Sequence, residues 1–223
     1  MTLEELTQAA RAAQLDVFGH VVDGDNTVLL LGPHEPGFWS EFSTSPEYLD
    51  GQPDPLDRWS KRVVMGLAMA WGGQALFPSD GPPYPPFFHW AQNSGRAWQS
   101  PVTLLVHDRA GLWVSYRGAI RLPFELHALA PAPAPCGSCH APCKTACPVN
   151  ALTDQGYDLD RCHAHLDTQD GQDCMTLGCK VRAVCPLSQS YGRLAKQSHF
   201  HMKAFHPHDP HSDPDTSRKI ELE

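Results

Sequence analysis

The first 135 residues of this 223-residue chain contain no cysteine, and the chain as a whole is poor in basic residues. Lysine and arginine together number 17, against 25 aspartates and glutamates, which gives a formal net charge of −8. The basic residues concentrate in neither half of the chain. Because nucleic-acid binding needs a clustered positive surface, this composition argues against a nucleic-acid partner.

The sequence also lacks a long apolar run. The longest uncharged apolar stretch, residues 63–77, is interrupted by Gly72-Gly73 and Gln74, and it is shorter than the roughly 20 residues that cross a bilayer. Glu4 and Glu5 stand near the start, where an export signal carries lysine or arginine. We therefore expect a cytoplasmic protein with no membrane partner.

Hydrophobic periodicity and turn residues predict alternating helices and strands before the first cysteine. Thr2 and Glu5 form a capping-box pattern at the start of a helix, and Asp54-Pro55 is a typical helix start whose stop is Gly72-Gly73. The predicted helices are 2–15, 55–71 and 83–95, and the predicted strands are 27–31, 74–77 and a hairpin of 102–107 with 112–122. This order predicts an α+β protein with an N-terminal α/β sandwich domain.

Composition divides the chain into four parts. Residues 1–127 form the α+β domain, a candidate for corrinoid binding or partner docking, and residues 128–135, which alternate alanine and proline, form a semi-rigid linker. Residues 136–204 hold the cysteine module. The tail, 205–223, is rich in histidine, proline and aspartate, and we interpret it as a solvated segment or a metal-binding one.

All eight cysteines lie in the cysteine module, and two of them precede proline. Clustered thiols in a chain without an export signal indicate metal binding before disulfides. In two-cluster ferredoxins the cysteine before proline ligates the other cluster. We therefore predict two 4Fe-4S clusters with these ligand sets: Cys136, Cys139, Cys143 and Cys185 (set A); Cys162, Cys174, Cys179 and Cys147 (set B).

Two alternatives to iron and sulfide remain open for these cysteines. Structural zinc also uses four cysteines, and the spacing of Cys136 and Cys139 is that of a zinc knuckle. A disulfide framework is the other alternative, although it conflicts with the expected compartment.

Residues 94–186 resemble the epoxyqueuosine reductase family. The segments that carry the resemblance are Gly95-Arg96-Ala97-Trp98, Gly111-Leu112-Trp113, Tyr157 to Cys162 and the cysteine pattern. The resemblance implies a corrinoid-reductase or nitroreductase-like N-terminal domain followed by a dicluster ferredoxin-like module. Asp54-Pro55-Leu56-Asp57 is similar to the cobalamin-processing proteins of the methylmalonic aciduria type C family.

The resemblance also implies a catalytic residue and partners. Asp80, in Asp80-Gly81-Pro82, matches the family's proton-donating aspartate, although an aspartate in a turn is by default a local hydrogen-bonding residue. An electron donor such as a ferredoxin, a flavodoxin or a flavin reductase is expected, and cobalamin is a candidate cofactor. Lys180 and Arg182 lie between two predicted ligands, where positive charge would raise a cluster's potential and attract an acidic donor.

Two functional hypotheses follow. The first is an oxidoreductase that passes single electrons through two 4Fe-4S clusters to a corrinoid or a related small molecule at the N-terminal domain. The second is a ferredoxin-type carrier, or a cobalamin-handling protein that docks a partner, without catalysis.

Overall fold

A computed structural model describes residues 1–127 and 130–207 of the chain. Most of the predicted linker and the start of the predicted tail are therefore described. The remainder of the tail, including His208 and His211, lies outside the described residues, as do residues 128 and 129.

The described residues contain both helices and short antiparallel strands, as an α+β protein requires. The helices are α1 Leu3–Ala12, α2 Phe38–Ser43, α3 Pro46–Leu49, α4 Pro55–Ala70, α5 Phe87–Asn93, α6 Leu159–Leu166, α7 Gln172–Leu177, α8 Lys180–Ala183, α9 Pro186–Ser190 and α10 Ala195–Phe205. The strands are β1 Leu15–Asp23, β2 Asn26–Pro33, β3 Gln74–Leu76, β4 Ala97–Gln99, β5 Leu105–His107, β6 Gly118–Leu122, β7 Leu152–Thr153 and β8 Gly156–Tyr157.

The main sheet has four strands in the order β1-β2-β6-β3, and each neighbouring pair is antiparallel. β2 is buried along nearly its whole length because both faces of the sheet are covered. Its side chains alternate between the faces: Leu29 and Leu31 pack with α1, α2 and α4, while Val28 and Leu30 pack with α5. The mixture of helices and small antiparallel sheets agrees with the predicted α+β class.

Local signals located several elements correctly. Thr2 caps α1, and the capping box with Glu5 is present, with Glu5 N–H donating to Thr2 Oγ1 at 3.2 Å. The helix that follows Asp54-Pro55 is α4, although the Asp54 side chain makes no capping hydrogen bond and its backbone is left-handed. The helix predicted at 83–95 is shorter, and the first strand, β1, was not predicted.

The predicted hairpin is wrong. The turn itself forms, because His107 and Gly111 exchange backbone hydrogen bonds of 3.0 and 2.9 Å. The strands on either side do not pair with each other: β5 pairs with β4, and β6 pairs with β2 and β3. Arg117 N–H donates to Leu31 O at 2.8 Å and directs the chain into the main sheet instead.

The cysteine module packs against the first 127 residues. Val102, Val106 and Leu112 share a buried apolar cluster with Cys143 and Cys185. Leu112 N–H donates to Ser188 Oγ at 2.9 Å, and a Cβ at Gly111 would lie only 2.4 Å from Ser188 N. The close contact requires glycine at position 111.

The last described helix returns to the N-terminal core. Phe200 of α10 packs against Trp39, Phe42 and Tyr48, with ring centroids 5.4 to 6.0 Å apart. Residues on both sides of the predicted linker therefore contribute to one core, while the domain boundary itself stays a prediction.

In the described part of the chain, no helix combines the length and the apolar character needed to cross a membrane.

Candidate metal centre

The eight cysteines are all free thiols, and short helices and turns hold them in place. Cys143 lies in a single 3₁₀ turn, Pro142–Thr145, while Cys162 and Cys174 lie within α6 and α7. Cys179 and Cys185 immediately precede α8 and α9. The module is thus built from one-turn and two-turn helices that place a cysteine at or near an end.

The turn before Cys179 depends on glycine. Gly178 has a φ of +94°, and a Cβ at this position would lie 2.8 Å from Ser198 Cβ and 2.9 Å from the Trp113 ring. Both the backbone angle and the close approach exclude other residues. Gly178 therefore lets Cys179 lie against α10 and Trp113.

The set A thiols are electrostatic neighbours of one another. Burial, and then the negative charges of Cys139, Cys143 and Cys185, raise the pKa of Cys136. Burial is also the main cause of the raised pKa of Cys143, with further contributions from Cys185 and Cys139. Cys185 thus lies with three cysteines that come more than 40 residues earlier in the chain, Cys136, Cys139 and Cys143.

The set B thiols form a second neighbourhood. Burial raises the pKa of Cys162, and the charges of Cys179 and Cys147 raise it further. Burial likewise raises the pKa of Cys174, with contributions from Cys179 and Cys162. Cys147, from the first motif, lies here. The two neighbourhoods coincide with the two predicted ligand sets, and iron binding by them stays a prediction.

Hydrogen-bond donors point at three of the sulfur atoms. Ala151 N–H donates to Cys147 Sγ at 3.1 Å, and Ala141 N–H donates to Cys139 Sγ at 3.4 Å. Tyr157 O–H donates to Cys162 Sγ at 3.2 Å. Burial and this hydrogen bond both raise the pKa of Tyr157, so its hydroxyl stays protonated and remains a donor. Such bonds stabilise thiolates, and thiolate is the form that binds metal.

The described residues contain no group of three or more His, Cys, Asp or Glu side chains close enough to hold a single metal ion. A zinc ion needs each sulfur about 2.3 Å from its centre, and a 4Fe-4S cluster likewise takes four thiolates. Four free thiols in each set are the donor chemistry that both kinds of site use, and the choice of iron over zinc stays a prediction.

The set B thiols line a cavity of about 310 Å³. Its apolar wall includes Leu104, Trp113 and Met202, and its polar wall includes three arginines, Arg117, Arg182 and Arg193, together with His201. The arginines come from the segment before β6, from α8 and from the segment before α10. The sequence interpretation assigned no role to Arg117, Arg193 or His201, and no local motif marks them.

The structure gives Asp80 a local contact. Its Oδ2 accepts a hydrogen bond from Phe77 N–H at 2.9 Å, within one turn. The residues that line the cavity of set B do not include Asp80. This contact is the one expected of an ordinary turn aspartate, and the catalytic role of Asp80 stays a prediction.

Lys180 and Arg182 differ in their surroundings although they are two positions apart. The Lys180 side chain is partly exposed and lies 3.4 Å from Asp173. Arg182 points inward and donates to Leu112 O at 2.6 Å. Arg182 thus lies where its charge can interact with the thiols of set B. Of the two residues, only Lys180 is exposed enough to attract an acidic electron donor.

Comparisons with protein-family models, with curated proteins and with solved structures find no match to this chain.

Proposed function

We propose that the protein is an iron–sulfur redox protein that carries single electrons between a donor protein and a small-molecule acceptor. The observation that carries the proposal is the arrangement of eight free thiols in two neighbourhoods of four, one of which lines a cavity. When bound, two 4Fe-4S clusters would supply one-electron chemistry. Cytoplasmic localisation belongs to the same proposal, since free thiols persist in a reducing compartment.

The protein's own residues support a route through the molecule. Two thiols of set A are partly exposed, as are three thiols of set B: Cys136 and Cys139; Cys147, Cys162 and Cys179. Set B faces the cavity, where Arg182 adds positive charge beside Cys179. Positive charge and hydrogen bonds to sulfur favour the reduced state of a cluster. Set B is therefore the proposed exit for electrons, and set A the proposed entry.

The acceptor is proposed as a small molecule held at the cavity; cobalamin, which is much larger than this cavity, stays proposed for the N-terminal domain. The volume of about 310 Å³ is at the lower end of the range for small-molecule sites. The corrinoid-reductase-like and ferredoxin-like assignments of the two parts rest on the resemblance described above. A carrier without catalysis remains the alternative function.

Metal analysis of anaerobically prepared protein tests the proposal. The wild-type chain should contain about eight iron atoms and as many sulfides, with a brown colour. A colourless protein, or one that contains zinc, would overturn the proposal. Titration with cob(II)alamin then separates the acceptors: a change in the visible and electron paramagnetic resonance spectra supports the corrinoid, and no change favours another acceptor.

Single serine variants test the crossed ligand sets. Cys185→Ser should alter the same paramagnetic signal as Cys136→Ser, and Cys147→Ser the same signal as Cys162→Ser. Ser138→Ala, which changes a residue between two ligands without removing a thiol, is the matched control and should alter neither signal. If Cys185→Ser and Cys162→Ser altered one signal together, the assignment would be wrong.

A further inference from the structure

Three arginines meet in the cavity of set B, and their partners among the described residues are few. Arg182 donates to Leu112 O at 2.6 Å. Arg193 donates to Ser198 Oγ at 3.1 Å, and its guanidinium lies 4.8 Å from the centre of the Trp113 ring. Neither of these contacts supplies a negative charge.

Arg117 is the least compensated of the three. Only 16% of its side-chain surface is exposed, and its ion pair with the exposed Asp57 is long, at 3.9 Å. Its Nε atom is buried and has no hydrogen-bond partner among the described residues. A buried donor without a partner costs about 1–3 kcal/mol, and more when the group is charged.

The three arginines make the electrostatic potential around His201 positive. Burial, followed by the charges of Arg193, Arg117 and Arg182, lowers the pKa of His201 to about 2. Burial also lowers the pKa of Arg193, to about 10. Glu35 is the leading negative charge that acts on Arg193, and burial raises the pKa of Glu35.

The thiols of set B supply a negative charge beside one of these three arginines. Cys179 is the leading charge that acts on Arg182. By contrast, the charges that act on Arg117 are those of Asp57 and Tyr191, and the leading charge that acts on Arg193 is that of Glu35. Arg117 and Arg193 therefore line the same cavity as the thiols of set B and have other leading counter-charges.

We propose that the part of the cavity beside the set B thiols, which a cluster would leave free, binds a small organic anion whose carboxylate or phosphate lies against Arg117 and Arg193 and whose apolar body packs on Trp113. A guanidinium group presents two parallel N–H donors, which match the oxygens of either anion. The apolar wall of Trp113, Leu104 and Met202 suits a hydrocarbon or aromatic body. Binding rests on the arginines alone, while reduction of the anion by set B rests on the proposed function.

Isothermal titration calorimetry of the iron-replete full-length chain tests the proposal, with phenyl phosphate and benzoate as probes and phenol as the neutral control. At least one anion should bind saturably and more tightly than phenol, and the tighter of the two identifies the anionic group. Arg117→Gln should weaken binding about tenfold or more, because it removes a charged hydrogen bond. Arg121→Gln is the matched control, since Arg121 pairs with Asp23 at the surface, and it should leave the affinity unchanged.

The proposal fails if neither anion binds saturably to the wild-type chain, or if phenol binds equally well; the arginines would then serve only to balance the thiolates. Equal affinity in Arg117→Gln also overturns it. If that variant does not fold, competition between phenyl phosphate and inorganic phosphate on the wild-type chain decides instead, because inorganic phosphate must displace an anion held by its charge. Iron and sulfide are measured on the same samples, so that missing iron overturns the proposed function and missing binding overturns this inference.

Discussion

Replacement of Tyr157 by phenylalanine removes one hydrogen bond to a predicted ligand and changes little else. The Tyr157 hydroxyl donates to Cys162 Sγ at 3.2 Å, and the residue is 36% exposed. Because the reduced state of a cluster carries one more negative charge than the oxidised state, the bond stabilises the reduced state more. Tyr157→Phe should therefore lower the reduction potential of the set B cluster.

The size of this shift follows from the energy of one hydrogen bond. A net contribution of about 0.5–1.5 kcal/mol corresponds to a shift of roughly 20–60 mV for one electron, at 59 mV per 1.4 kcal/mol. Since water reaches the exposed part of Tyr157 and replaces some of the lost bond, we expect a value in the lower half of this range.

Redox titration monitored by electron paramagnetic resonance measures the shift. The potential of the cluster that is altered by Cys162→Ser should move, and the potential of the cluster altered by Cys136→Ser should not. Tyr84→Phe is the matched control because Tyr84 is 65% exposed and belongs to neither set. A variant with full iron content whose set B potential is unchanged, or raised, would refute the reasoning.

Three further predictions concern the core, the turn aspartate and a buried histidine. Leu31→Ala, at a fully buried position, should lower the free energy of unfolding by about 2–5 kcal/mol in urea titrations, whereas Leu49→Ala, at a position that is 70% exposed, should change it little. Asp80→Asn should abolish turnover and leave both clusters intact if Asp80 is the acid, because asparagine keeps an oxygen acceptor for Phe77 N–H but donates no acidic proton. Burial lowers the pKa of His107 to about 4, so the unfolded chain binds more protons than the folded chain below about pH 6.5. The difference in free energy of unfolding between wild type and His107→Gln should therefore fall by about 2 kcal/mol from pH 8 to pH 5.

Each of these three predictions has a contrary result. Equal losses in Leu31→Ala and Leu49→Ala would mean that β2 is not at the centre of the core. Unchanged turnover in Asp80→Asn would leave that residue with its turn contact alone. A stability difference between wild type and His107→Gln that stays constant with pH would mean that His107 titrates alike in the folded and unfolded states.

Elements whose signals are local could be predicted from the sequence. The capping box of α1 and the proline start of α4 are set by neighbouring residues, and both helices form where the pattern indicates. β1 lacks such a signal, because its buried residues include Asp16 and His20. These two residues find their partners far along the chain: Arg109 lies 2.8 Å from Asp16, and His127 O lies 3.1 Å from His20 Nε2.

The same distinction applies to the candidate site. The thiol sets follow from motif spacing and the Cys-Pro rule, because the rule describes a repeated local structure. The arginines of the cavity come from three separate segments that meet only in the folded chain. The spacing of these residues along the chain therefore could not predict that they line one cavity.

The position of Phe200 has a practical consequence for anyone who wishes to express the cysteine module of this protein alone. That ring packs against the aromatic cluster of Trp39, Phe42 and Tyr48. A fragment that starts at the first cysteine would therefore expose the Phe200 side chain to water, and the N-terminal part without it would contain a cavity. The two halves are better engineered as a single unit, or the fragment should end before the final helix and have its new surface redesigned.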